Sequence, residues 1–173
     1  IAYLNKIIDE TLTDDYWEIT LPNGLNTSSA RSPVLFGYYA ALNLLNAQVL
    51  FSDIRIPELL DPTIKSNKAP LERHHLFPKG YLSKMGINEK RITNSLANYA
   101  LVEWSDNIEI SDKAPNEYVP EYEKIFSTKD INQMYFWHAL PKNWYNMGFN
   151  EFLQERQKRI AKVIRKGFDK LKM

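Results

Sequence analysis

The segment that most constrains the fold runs from Ser32 to Phe51. Its sequence, SPVLFGYYAALNLLNAQVLF, is apolar on nearly all sides. Ser32 is a suitable N-cap, and Pro33 stands at the first helical position, where its missing N–H is tolerated. Because a helix that is apolar all round must be covered by other elements, we predict a central buried helix here.

Segments near both ends of the chain also have helical spacing. The N-terminal segment predicts a helix from the apolar positions Ile1, Leu4, Ile8 and Leu12. A last helix from about Phe149 would place on one face Phe149, Phe152, Leu153, Ile160, Val163, Ile164 and Leu171. Ser127 with Asp130 forms an imperfect capping box for a helix before it. Most of the chain is therefore expected to be helical.

The middle of the chain has a different pattern. Residues 71–77 predict a short strand, and NYALVE, 98–103, has the alternation of a second strand. Between them KGYLSKMG predicts one or two helical turns closed by Gly86, and after them SDNIEISDKAP predicts a short helix capped by Ser105 or Asp106. The predicted fold class is α+β, mostly helical, with a strand–strand–helix unit embedded between helical segments.

Composition excludes several classes of protein. A chain of 173 residues fits one compact domain, and 44% hydrophobic with 25% charged residues is ordinary for a globular protein. The lack of cysteine excludes disulfides and cysteine-ligated zinc. We find no signal peptide and no apolar run that could span a membrane, so we expect a cytoplasmic protein. Because the chain begins at Ile1 within helix-like sequence, we interpret it as a fragment of a longer protein.

Charge is unevenly distributed although the net charge is only +1. Residues 154–173 contain eight basic and two acidic residues. Four of the basic residues, Arg159, Lys162, Lys166 and Lys170, form one stripe opposite the apolar face of the last helix. This stripe is either a solvated helix face or a surface that follows DNA phosphates.

Two of the chain's three histidines are adjacent, His74 and His75, in LERHHLFPKGYL. A single histidine is more often a structural hydrogen-bonding residue than a ligand, and this is our expectation for His138. Consecutive strand residues point to opposite faces, so His74 and His75 could serve one site only around a strand edge or bend. Their adjacency alone is weak evidence of function.

The residues downstream strengthen that evidence. The order is His-His, strand, loop, Asn98, strand, Asn107, helix, with eight residues between the two asparagines. This arrangement resembles the HNH, or ββα-metal, nuclease motif, in which Asp-His or His-His precedes two apolar residues and a proline, as in HHLFP. SDNIEISDKAPNEYV is similar to the HNH helix of RNA-guided CRISPR effector nucleases. The wider chain resembles the C-terminal nuclease half of GmrSD-like proteins, which include modification-dependent restriction enzymes of bacteria.

The resemblance implies a domain organisation. The HNH core would occupy residues 71–119, between an N-terminal helical part, 1–70, and a C-terminal helical part, 120–173. It also implies a metal-dependent DNA endonuclease. By motif position, His75 is the general base, and Asn98 completes the catalytic pair by bracing the loop and orienting that base.

The resemblance also implies a divalent cation held by His74 and Asn107. Because His74 stands where many relatives have Asp, an imidazole here suits Mn²⁺, Co²⁺ or Ni²⁺ better than Mg²⁺. We expect Mg²⁺ as the physiological ion through its availability. The chain has no Gly-rich phosphate loop, so we expect no nucleotide cofactor in it.

Partners follow from the same resemblance. They are DNA, including modified phage DNA, in restriction and phage defence, and an upstream nucleotide-hydrolysing domain of the same protein in the bacterial cytoplasm. The candidate DNA-contact residues between His75 and Asn98 are Lys79, Lys84, Lys90 and Arg91. The alternative function is a catalytically silent HNH-fold module that binds nucleic acid or a protein without cutting.

Overall fold

The computed structural model describes residues 2–59 and 71–172; the side chains at 59, 71, 72, 104, 105 and 107 lie outside that description. Over these residues the protein is mostly helical with a small two-stranded antiparallel sheet, so the α+β class is confirmed. The helices are α1 (Ala2–Thr11), α2 (Leu21–Gly24), α3 (Pro33–Leu44), α4 (Ile56–Leu59), α5 (Lys79–Lys84), α6 (Lys90–Thr93), α7 (Trp104–Ile110), α8 (Pro115–Glu123), α9 (Thr128–Trp137) and α10 (Phe149–Leu171). Shorter turns are a π-helical turn at Tyr16–Thr20 and 3₁₀ turns at Leu96–Asn98 and Trp144–Asn146.

The sheet consists of β1 (Leu71–His75) and β2 (Tyr99–Glu103). The two strands pair antiparallel, with His75 opposite Tyr99 and His74 opposite Ala100. Because side chains alternate along a strand, Arg73 and His75 share one face and His74 lies on the other. The outer edge of β2 receives one further hydrogen bond, from the Leu50 N–H to the Leu101 carbonyl at 3.0 Å.

Two clusters of buried side chains cover the two faces of this sheet. The first contains Ala100 and Val102 together with apolar residues of α7, α8, α9 and α10. The second contains Leu101 together with residues of α3 and α10. The last helix therefore contributes to both cores, which explains why its apolar face extends over most of its length.

Helix α3 is shorter and less buried than its sequence predicts. It ends at Leu44 rather than continuing to Phe51, and Asn46 turns the chain with φ of 54°. The following segment runs back so that Leu50 reaches β2. Phe36 is 57% exposed, so the prediction of burial on all sides is wrong, and α3 buries one face only.

Helices α3 and α10 cross at very short range. A Cβ atom added at Gly167 would lie 2.7 Å from the Ala41 Cβ, so only glycine allows this approach. Burial of the predicted apolar face of α10 is confirmed from Phe149 to Val163. Its last predicted member, Leu171, is 64% exposed.

Arg156 of α10 is completely buried despite its charge. Its Nε donates to the His138 carbonyl at 3.1 Å and its Nη1 to the Ala97 carbonyl at 2.8 Å. In the described part of the chain, no carboxylate forms an ion pair with it. Two backbone carbonyls thus accept hydrogen bonds from this buried guanidinium, and the bond to Ala97 joins α10 to the 3₁₀ turn before β2.

Several local predictions can be compared directly with the structure. The turn after α5 closes at Gly86 with φ of 80°, and Ser127 accepts the Asp130 N–H as the N-cap of α9; both are as predicted. Helix α7 begins at Trp104, so positions 105 and 106 lie inside it and the predicted cap is wrong.

The predicted division after residue 119 falls inside α8, and the one after residue 70 lies outside the described residues. Across residues 2–59 and 71–172, none of the helices is both long and apolar enough to cross a membrane.

Candidate functional site

His75 ends β1 and lies half-buried against the aromatic ring of Tyr99, its partner across the sheet. The two ring centroids are 4.3 Å apart. The His75 Nε2 lies 3.1 Å from the Asn94 Oδ1. The same Asn94 oxygen accepts the Tyr99 hydroxyl at 3.0 Å. One amide oxygen thus fixes both rings.

This arrangement determines which nitrogen of His75 can act as a base. An amide oxygen accepts hydrogen bonds and cannot donate one, so Nε2 carries the proton. The neutral ring then has its lone pair on Nδ1. Within the described residues, no protein group forms a hydrogen bond with Nδ1. Nδ1 is therefore the nitrogen able to receive a proton from a bound water.

The surroundings of His75 favour this neutral form. Burial lowers the pKa of His75 below its usual value, the Asn94 hydrogen bond opposes that change, and the charges of Lys79 and Arg73 lower the pKa further. The ring is therefore unprotonated at neutral pH. This is the protonation state that a general base requires.

Asn98 braces the chain immediately after β1. Its side chain is fully buried. Its Oδ1 accepts the Phe77 N–H at 2.9 Å, and its Nδ2 donates to the Phe77 carbonyl at 3.0 Å and the Thr93 carbonyl at 2.9 Å. Its own carbonyl accepts the Leu76 N–H at 2.8 Å. This asparagine fixes the course of the chain beyond His75, while its role in orienting the base stays a prediction.

His74 faces the opposite side of β1 and is only 3% exposed. Its ring lies edge-on to Tyr118 of α8, with centroids 5.9 Å apart. This face of the sheet is also covered by Ile110 of α7. The two adjacent histidines therefore do not share a face, and they could reach a common substrate only around the end of the strand.

Asn107 lies on α7, three positions before Ile110, but its side chain is outside the described residues. The pairing of His74 with Asn107 thus stays a prediction. Within residues 2–59 and 71–172, no group of three or more His, Asp or Glu side chains is arranged to hold a metal ion. A cation on this side of the sheet would depend partly on amide, water or phosphate oxygens.

The four predicted DNA-contact residues are all exposed. Lys79 begins α5, and its charge acts on His75. Lys84 ends the same helix, while Lys90 and Arg91 lie on α6. Of these four, Lys79 is the one that the structure places beside the candidate base.

Sequence reasoning missed Asn94, Tyr99 and Arg73. Asn94 follows α6 and stands only four residues before Asn98, with no spacing signal that separates it from an ordinary turn residue. Tyr99 and Arg73 could have been found from the register of the two strands, because alternation places both on the face of His75. The third histidine, His138, is buried and bonds the Gln48 carbonyl at 2.9 Å, as expected of a structural residue.

No family model matches the chain, and no solved structure matches it. An uncharacterized protein of Methanocaldococcus jannaschii is 29% identical over 118 residues, which covers 54% of this chain and 20% of the archaeal protein. The chain thus spans about a fifth of the relative that it matches.

Proposed function

We propose that this protein is a metal-dependent DNA endonuclease of the ββα-metal, or HNH, type. The observation that carries the proposal is the state of His75. A neutral imidazole at a strand end has Nε2 committed to Asn94 and leaves Nδ1 for a water. The order β1, β2, α7 and the bracing of the intervening loop by Asn98 also support it.

In the proposed reaction, His75 activates the attacking water. As the water oxygen bonds to phosphorus, its proton passes to Nδ1 of His75, and the bond from phosphorus to the 3′ oxygen breaks. The electron pair of that bond stays on the 3′ oxygen, which takes a proton from solvent water, so the products carry a 5′-phosphate and a 3′-hydroxyl. Asn94 holds the ring so that Nδ1 does not rotate away from the water.

A divalent cation completes this proposal. His74 would supply an imidazole nitrogen and Asn107 an amide oxygen, a neutral donor set that suits Mn²⁺, Co²⁺ or Ni²⁺ better than Mg²⁺, although Mg²⁺ is the expected physiological ion through its availability. When bound, such a cation stabilises charge on the phosphate and on the departing oxygen. The restriction role, with a modified substrate and an upstream nucleotide-hydrolysing domain, is part of the same proposal and rests on the family resemblance.

The test is nicking of supercoiled plasmid with Mg²⁺, Mn²⁺ or EDTA. Wild type should cut with a divalent cation and not with EDTA. His75→Ala should lower the rate by about 10² to 10⁴, the usual effect of losing a general base. Gln133→Ala, at an exposed position of α9, is the matched control and should cut like wild type. Both variants are first compared with wild type by thermal unfolding.

The outcomes separate the two candidate functions. Equal nicking by wild type and His75→Ala would show that His75 is not the base and that the activity comes from elsewhere. DNA binding without cutting in any divalent cation would favour the silent binding module instead.

A further inference from the structure

Arg73 lies on the same face of the sheet as His75. The two residues are two positions apart on β1, about 7 Å along the strand. Arg73 is exposed, and its charge contributes to the field at the His75 ring. Its guanidinium therefore faces the region where a substrate of His75 would lie.

The Arg73 guanidinium lies over an aromatic ring. Its guanidinium carbon lies 5.6 Å from the Tyr99 ring centroid, a cation–π distance. Tyr99 in turn packs on His75 and bonds Asn94, so its position is fixed. Tyr39 of α3 is also close enough for the charge of Arg73 to lower its pKa against the larger effect of burial. Residues of α3, β1 and β2 together form this surface.

No carboxylate of the described residues neutralises the charge of Arg73. Among the described residues, its guanidinium has no carboxylate partner and donates no hydrogen bond to another side chain. Arg73 shares this with the exposed Arg31 and Arg91, which have no carboxylate partner among the described residues, whereas the partly buried Arg159 and Arg165 pair with Glu155 and Asp14. An aromatic support orients Arg73 while leaving its N–H donors unused.

We propose that Arg73, supported by Tyr99, binds a backbone phosphodiester of the DNA strand that His75 cuts. This inference rests on the proposed function and adds a specific phosphate subsite to it. A guanidinium is planar and presents paired N–H donors that match two phosphate oxygens, and stacking on a ring leaves that edge open. Lysine would keep the charge and lose the paired geometry.

The first experiment tests the subsite without cleavage. The dinucleotide thymidylyl-(3′→5′)-thymidine, which has a single phosphodiester, is titrated into ¹⁵N-labelled protein while the arginine Nε–H resonances are followed. The resonance of Arg73 is identified as the one that disappears in Arg73→Lys. It should change its chemical shift on titration, whereas the resonances of Arg159 and Arg165 should keep theirs. Thymidine, which lacks the phosphate, is the ligand control and should leave the Arg73 resonance in place.

The second experiment measures binding of a short DNA duplex over a series of salt concentrations in a His75→Ala background. Arg73→Met should weaken binding by roughly 10- to 100-fold at low salt, and the slope of log K against log salt should fall by about 0.9, one phosphate contact. Arg73→Lys should restore the slope and only part of the affinity. Lys129→Met, which removes one exposed charge from α9, should change binding less than twofold.

The results distinguish this inference from the proposed function. Two results would overturn the subsite even in a protein that cuts DNA. One is an Arg73 resonance that does not shift when the dinucleotide is added. The other is an Arg73→Met variant that binds DNA with unchanged affinity and unchanged salt dependence. Conversely, if wild type never cuts DNA and yet the Arg73 resonance shifts and Arg73→Met loses one phosphate contact, the subsite stands and the proposed function fails.

Discussion

Replacing Asn98 with alanine should be among the most destabilising single changes near the candidate site. The side chain is fully buried and makes three hydrogen bonds, all to the backbone of Phe77 and Thr93. Asn98→Ala leaves one N–H and two carbonyls without these partners. At about 1 to 3 kcal/mol for each unsatisfied buried group, with partial relaxation, the expected loss is about 3 to 5 kcal/mol. That is a large part of the ordinary stability of a domain.

The assay is equilibrium urea unfolding followed by tryptophan fluorescence, which the completely buried Trp144 should report. With an m-value of about 2 kcal/mol/M, the midpoint should fall by roughly 2 M while m stays unchanged. Asn132→Ala, at an exposed position of α9, is the matched control and should lie within about 0.5 kcal/mol of wild type.

A loss below about 1 kcal/mol for Asn98→Ala would refute this reasoning, because the backbone groups would then have other partners or water. Asn98→Asp gives a second check. It keeps an acceptor for the Phe77 N–H but turns an oxygen toward two carbonyls, so it should not rescue the fold.

Three further changes test other contacts. Asn94→Asp places a carboxylate beside His75, which should raise the pKa of the histidine. The pH below which the rate of plasmid nicking falls should then rise by about one unit. An unchanged pH dependence would show that Asn94 does not contact the base. Burial lowers the pKa of His138 to about 4 from its usual 6.5. The free energy of unfolding should therefore be unaffected by this histidine above about pH 6.5 and should fall by about 3 kcal/mol as the pH drops toward 4. Urea midpoints of wild type should show this slope with pH, and those of His138→Gln should show a shallower one. Gly80→Ala introduces a Cβ that overlaps the Asp112 carboxylate, which accepts the Gly80 N–H. The alanine should therefore stabilise α5 by about 0.5 to 1 kcal/mol in an Asp112→Ala background, but not in wild type. Equal effects in both backgrounds would exclude a clash between position 80 and Asp112.

The sequence predicted best where local chemistry decides structure. The cap at Ser127, the turn at Gly86 and the long face of α10 depend on neighbours within one or two turns, and they are confirmed. The end of α3 could not be predicted in this way. It depends on Leu50 returning to β2, a contact between residues that are distant in sequence.

The candidate site shows the same division. Asn98 could be selected from motif spacing, and its side chain forms hydrogen bonds to the backbone of Phe77 and Thr93, while its catalytic role stays a prediction. Asn94, which contacts His75 directly, has no such signal, because its role depends on how α6 is placed against the end of β1. Position 98 was also predicted to begin the second strand, whereas it ends a 3₁₀ turn, since its side chain bonds Phe77 and Thr93.

The buried guanidinium of Arg156 has a consequence for how far the strand–strand–helix unit can stand alone. It bonds the carbonyl of Ala97, the residue next to Asn98, from a helix that begins some thirty residues after the unit ends. Residues 71–119 expressed by themselves would lack this anchor, and the turn that carries the brace would lose its support from α10. The strand–strand–helix unit thus depends on the surrounding helices for part of its structure. Placing it in another protein scaffold would require a replacement for the hydrogen bond from Arg156.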